Sequence, residues 1–121
     1  MKVFLVEDSA AIRERVRLAV AECGGTVVGE ADGQQDAIRA IRQCCPQLVI
    51  LDIVLAQGNG IEVLRHVKAD LPAIRVIVLS NFSSQPYRKR CQELGAEYFL
   101  DKNQEFEMLG SLLVTATSGG A

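Results

Sequence analysis

The chain has no surplus of either charge: 13 basic residues against 15 acidic ones leave a net charge of -2. That balance excludes the basic footprint of a nucleic-acid binder, and the one basic cluster, Arg88-Lys89-Arg90, reads as a solvated helix face. There is no apolar run near the roughly 18 residues needed to cross a bilayer. The first residues carry a strand pattern in place of a leader peptide, so a cytoplasmic protein is expected, with no membrane and no direct nucleic-acid contact. Histidine occurs once, at His66, and reads as a solvated side chain, neither ligand nor phosphodonor. The four cysteines, Cys23, Cys44, Cys45 and Cys91, lack zinc-site spacing and any CxxC pair. They read as small buried hydrophobes. Internal repeats and low-complexity blocks are missing too. A length of 121 residues with 49% hydrophobic content suits one domain with one core and leaves no room for a second. Residues 115–121 are small and polar and read as a frayed tail or the start of a linker.

What is present is strict alternation. Short apolar runs at 3–6, 26–31, 48–51, 74–79 and 97–100 are each followed by a segment with helical spacing. Ile12, Val16, Ala19, Val20 and Cys23 form one helical face behind Ser9, a natural N-cap. Ala37, Ile38 and Ile41 mark a second helix, and Ile61, Leu64, Val67 and Leu71 a third that Pro72 stops. Tyr87, Cys91 and Leu94 mark a fourth ending at Gly95, and Phe106, Leu109, Leu112, Leu113 and Ala116 a fifth behind Asn103 as N-cap. Five strands alternating with five helices predict an α/β fold, a parallel sheet covered on both faces.

In such a sheet, ligands and chemistry collect at the carboxyl ends of the strands. Asp52 directly follows the unbroken run Leu48-Val49-Ile50-Leu51, which reads as a strand buried on both faces. Glu7 and Asp8 follow the first strand, Ser80 the fourth and Lys102 the fifth. Three clustered carboxylates repel one another, and a hard divalent cation such as Mg²⁺ relieves that repulsion. An ammonium and a hydroxyl can bind the oxygens of a transferring phosphoryl group, and a carboxylate is a competent covalent acceptor. Asp52 is the candidate acceptor. Taken singly, each residue also has an ordinary reading: Glu7-Asp8 favouring a helix start through its dipole, Lys102 on the surface, Ser80 in a loop.

Over nearly its whole length the sequence resembles the receiver domain of two-component response regulators. The matching motifs are VEDS at 6–9, LVILDI at 48–53, Asn59-Gly60, VLSN at 78–81 and GAEYFLDK at 95–102. The resemblance implies a flavodoxin-like, doubly wound sheet of order 2-1-3-4-5. It implies Asp52 as phospho-acceptor, and Glu7, Asp8, Asp52 and the backbone carbonyl of Val54 as Mg²⁺ ligands. Ser80 then becomes the switch hydroxyl, Lys102 its phosphoryl-binding partner and Phe99 the aromatic switch. A histidine kinase, a phosphotransfer protein or a small phosphodonor would supply the phosphate. Output would pass through helix 4, strand 5 and helix 5, to a downstream DNA-binding domain or a docked protein, with phosphorylation-dependent dimerisation as a further implication.

The sequence departs from that pattern where Ala56 and Asn103 replace customary prolines and Asn81 replaces a small residue. A more mobile loop after Asp52 is expected, and the Lys102-Asn103 peptide is either trans or held cis at a cost of ~3 kcal/mol. Val54 and Phe82, apolar where many receivers carry water-orienting polar groups, predict slow loss of the phosphoryl group. Two other readings stand beside this one. An aspartyl-nucleophile phosphatase or phosphotransferase would need an acid at position 54, where the chain has Val. A pseudo-receiver would have lost Asp52, Lys102 or the acidic pair, and all are present.

Overall fold

The computed structural model describes residues 1–119. Five strands, β1 (Lys2–Val6), β2 (Thr26–Ala31), β3 (Leu48–Leu51), β4 (Arg75–Ser80) and β5 (Tyr98–Asp101), alternate with helices α1 (Ala10–Glu22), α2 (Gln34–Cys44), α3 (Gly60–Asp70), α4 (Gln85–Glu93) and α5 (Leu109–Gly119). All four strand pairings are parallel, in the order β2-β1-β3-β4-β5, as the resemblance implied. The side-chain alternation of each strand sorts the core into two layers. Phe4, Val6, Val49, Leu51, Val76 and Val78 pack on one face with α2, α3 and Cys91 of α4. Val3, Leu5, Leu48, Ile50, Ile77 and Leu79 pack on the other with Val16 and Val20 of α1 and Leu109 and Leu113 of α5. Two-sided burial explains why β3 reads as a continuous apolar run.

Local signals set most boundaries. Ser9 caps α1 by accepting the Ile12 N–H at 3.3 Å, and Asn59 caps α3 by accepting that of Glu62 at 3.0 Å. Gly95 takes φ +104 beyond α4, a conformation that Cβ-bearing residues resist.

Several expectations are corrected. β4 and β5 each lie one residue later than expected: the Ile74 amide and carbonyl are taken up by the Leu71 carbonyl at 3.0 Å and the Lys68 ammonium at 2.7 Å, and Glu97 turns its carboxylate back to the Val76 N–H at 2.6 Å and to Lys68 at 2.7 Å. Asn103 is not the cap of the fifth helix. The Asp101 carboxylate captures the Asn103 and Gln104 amides in a separate turn, and a 3₁₀ turn over Phe106–Met108 leads into α5. α5 continues through position 115 to Gly119 with Ala116 buried; residues 120–121 of the expected tail lie outside the described residues. Tyr87 is exposed, set edge-on to Phe82 at 5.7 Å. Of the cysteines only Cys91 is fully buried, which pushes its thiol up to about 11. Cys45 is exposed, because it ends α2 in the left-handed conformation at φ 48. His66 is half-buried, its Nδ1 lying 3.1 Å from the Glu62 carbonyl.

Candidate functional site

A buried polar group is costly unless it is paired. Among the described residues the buried polar or charged side chains are Glu7, Asp52, Ser80 and Lys102, each at the carboxyl end of a different strand. The ladder brings them together: β1, β3, β4 and β5 are consecutive neighbours.

Lys102 is the hub. Its Nζ donates to Asp52 Oδ2 at 2.6 Å and lies 2.9 and 3.0 Å from the two Glu7 oxygens. Asp52 Oδ1 accepts the Ile53 N–H at 2.7 Å, and Glu7 Oε2 accepts that of Ser9 at 3.0 Å. Burial pushes the Glu7 carboxyl above its ordinary range; the Ser9 amide and Lys102 oppose this, and the neighbouring Asp52 charge adds to it. For Lys102 burial works downward, but the bonds to Asp52 and Glu7 prevail and hold the ammonium above its ordinary 10.5. Both shifts have one sense: the cluster gains by holding positive charge.

Asp8 is exposed beside this core, and one oxygen from each of Glu7, Asp8 and Asp52 lies within 4.8 Å of the others. Three carboxylates against the single Lys102 ammonium leave a formal -2, which one divalent cation offsets. The all-oxygen donor set suits a hard ion such as Mg²⁺. Val54 is exposed and bridges to Asn59. The bond that carries this bridge runs from the Gly60 N–H to the Ile53 carbonyl at 2.7 Å, not to Val54.

Ser80 is fully buried, with its Oγ accepting the Phe82 N–H at 3.1 Å, so its hydroxyl is engaged with its own loop. Phe99 is half-buried against the α2/α3 layer, under the Arg88 guanidinium at 4.9 Å.

The loop after Asp52 is tied down, contrary to expectation. The Ala56 N–H, which a proline would lack, donates to the Asp32 carbonyl at 2.9 Å; Gln34 N–H donates to the Gln57 carbonyl at 2.8 Å. Asn59 N–H reaches Gln34 Oε1 at 3.1 Å. Gly60 serves by lacking a side chain, since a Cβ there would fall 1.8 Å from the Asp52 carbonyl oxygen. The Lys102-Asn103 peptide is trans, there being no cis bond among the described residues.

Sequence reasoning missed three contributors. Arg13 donates to the Glu7 carbonyl at 2.8 Å and pairs with Glu30 at 3.3 Å. Arg88, read as solvated, is half-buried and bonds Ser83, Phe99 and Glu105. Asp101 collects bonds from Ser83, Asn103 and Gln104. For Asp101 the one available signal was an acid at the last position of an apolar strand. The Arg13 and Arg88 partners lie in other segments, beyond the reach of local pattern.

The family model for the response regulator receiver domain matches residues 3–113. This chain belongs to that family. The receiver is 37% identical over 115 residues to a Pseudomonas aeruginosa protein named as a transcriptional regulator, covering 95% of this chain and 54% of that one. It superposes with a TM-score of 0.82, at 26% identity, on the signal receiver domain named for the response regulator NarL of Mycobacterium tuberculosis, covering 98% of this chain and 94% of that one. A chain of the CheX–CheY–BeF₃–Mg²⁺ complex of Borrelia burgdorferi shares the fold at a TM-score of 0.88 and 21% identity, with 98% and 89% covered. The receiver spans about half the length of the curated relatives it matches. Among its described residues no helix is long and apolar enough to cross a membrane.

Proposed function

We propose that this receiver accepts a phosphoryl group on Asp52 and converts it into a change of surface, acting as a signalling module and not as a metabolic enzyme. The observation that carries the reading is the 2.6 Å contact between Lys102 Nζ and Asp52 Oδ2, beside two further acids at the same sheet edge. One Asp52 oxygen attacks phosphorus in line. The bond from phosphorus to the donor, a histidine nitrogen of a kinase or phosphotransfer protein or the leaving oxygen of a small phosphodonor, breaks as the new P–O bond forms. Lys102 pairs with the incoming oxygens and offsets their charge where water is largely excluded. Glu7, Asp8 and Asp52, with the Val54 carbonyl, would hold Mg²⁺, which supplies further charge neutralisation to the phosphoryl oxygens.

The Ser80 hydroxyl, whose oxygen accepts the Phe82 amide, then donates its proton to a phosphoryl oxygen. Phe99 follows as the aromatic switch, altering the face built by α4, β5 and α5. That face addresses a downstream partner or output domain, and phosphorylation promotes pairing of two receivers through it. A relative named as a DNA-binding transcriptional activator favours a DNA-binding output carried elsewhere in a longer protein. A cytoplasmic location fits a kinase-fed module. A substrate-processing phosphatase is disfavoured, because position 54 offers valine in place of a second acid.

The test is incubation with Mg²⁺ and a small acyl phosphate, followed by intact mass. One phosphate adduct is expected, absent from Asp52→Asn and suppressed by a chelator. An adduct that persists in Asp52→Asn would assign the acceptor elsewhere.

A further inference from the structure

Lys102 must point its ammonium at Asp52 from the start of an irregular loop, and the loop is shaped by side chains. Asp101 Oδ1 accepts two successive amides, Asn103 at 2.8 Å and Gln104 at 2.9 Å. The peptides on the far side of Lys102 are thereby folded back over the preceding residue, an Asx-type turn. The other oxygen, Oδ2, accepts the Ser83 hydroxyl. Ser83 lies three residues beyond Ser80 in the β4–α4 loop, and Ser80 pairs with Asp101 in the β4–β5 ladder.

The ring closes through Arg88 and Glu105. The guanidinium donates to the Ser83 carbonyl at 2.7 Å and to Glu105 Oε1 at 2.6 Å, and that same Glu105 oxygen accepts the Asp101 N–H at 2.9 Å. The loop bearing Lys102 and the loop following Ser80 are therefore joined by one hydrogen-bonded circuit with Asp101 at its centre.

We propose that Asp101 is a positioning residue: it holds the Lys102 ammonium in register with Asp52 and couples that register to the switch loop through Ser83. The Asp101 carboxyl lies below its ordinary range, chiefly through the Ser83 hydroxyl and then the Gln104 and Asn103 amides, so it is an anion with both oxygens committed at neutral pH. It touches no reacting atom itself. Asparagine in its place would keep an oxygen for the two amides, whereas alanine would release the turn.

The proposal rests on the phospho-acceptor reading, and the test separates the two. Wild type, Asp101→Ala and Asp101→Asn are compared for phosphorylation rate at saturating Mg²⁺, for Mg²⁺ binding by calorimetry, and for the nitrogen NMR signal of the Lys102 ammonium. In Asp101→Ala the rate should fall about tenfold, consistent with displacing a positioned group by a fraction of an ångström, and the protected Lys102 signal should vanish. Mg²⁺ binding should stay within about twofold, because the acids at β1 and β3 are untouched, and Asp101→Asn should recover most of the rate. A rate within twofold of wild type in Asp101→Ala, or a parallel loss of rate and Mg²⁺ binding in the folded variant, would overturn it. If wild type takes no phosphate on Asp52, the receiver chemistry falls. The Lys102 signal then decides the positioning role alone, its retention in Asp101→Ala counting against it and its loss for it.

Discussion

Gly60→Ala is the sharpest perturbation that the structure offers. Position 60 opens α3, and its amide holds the Ile53 carbonyl at 2.7 Å. A Cβ placed there would meet the Asp52 carbonyl oxygen at 1.8 Å, the Asp52 carbonyl carbon at 2.8 Å and Ile53 Cα at 3.1 Å. These neighbours are backbone, so no side chain can rotate away. Restoring the first contact to 3.0 Å, the lower bound of real Cβ contacts, means finding 1.2 Å between α3 and the Asp52 peptide. If α3 yields, its first turn and the Asn59 cap are disturbed, and overpacking of this kind costs about 1–3 kcal/mol. If the Asp52 peptide yields, the acceptor moves by about 1 Å relative to Lys102, a displacement that can cost roughly a hundredfold in rate. Urea unfolding and the phosphorylation rate, read on the same variant, separate the two outcomes. Gly110→Ala is the control. Nothing lies within 4 Å of its added Cβ, and a helical glycine replaced by alanine should stabilise by about 0.5–1 kcal/mol. Gly60→Ala matching wild type within about 0.5 kcal/mol and twofold in rate would refute the close-approach argument.

Further outcomes follow from other sites. Val54, two residues after the acceptor, and Phe82, two after Ser80, are both exposed; Val54→Asn and Phe82→Glu should each speed loss of the phosphoryl group by about tenfold, equivalent to roughly 1.4 kcal/mol in barrier, and a wild type that already hydrolyses faster than both contradicts the apolar-flank reading. Lys102 has a folded value above its unfolded 10.5, so its contribution to stability is complete below 10.5 and lost as pH rises through the folded value. Lys102→Met should flatten that alkaline decline in thermal unfolding, and an unchanged slope would place its cause elsewhere. Cys45 takes φ 48 at the end of α2; Cys45→Gly should raise stability by about 0.5–1 kcal/mol, and a loss in urea unfolding would show that its Sγ contact with the Arg42 carbonyl outweighs the backbone strain.

Fold class and the chemical cast were legible in the order of residues along the chain. Hydrophobic period is a local property, so β2 and β3 were legible to the residue, and the other strands to within one. Strand ends inherit their function from position, which is why Glu7, Asp8, Asp52, Ser80 and Lys102 stood out before any contact was known. Strand order came through the resemblance and is borne out by the ladder. What holds these groups in place emerges from contacts between segments far apart in the chain. Lys102 meets Glu7 across 95 positions, and Arg88 meets Glu105 across 17; such partners leave no periodic trace, and a half-buried arginine reads the same as a solvated one. The loop after Asp52 shows the same limit. Losing a proline suggested slack, yet the freed Ala56 amide found Asp32 in a neighbouring loop, and Asp101 took up the amide at Asn103. The Asp101 turn is local, but the Ala56 bond depends on where two distant segments end up in space, and the packed fold sets that distance.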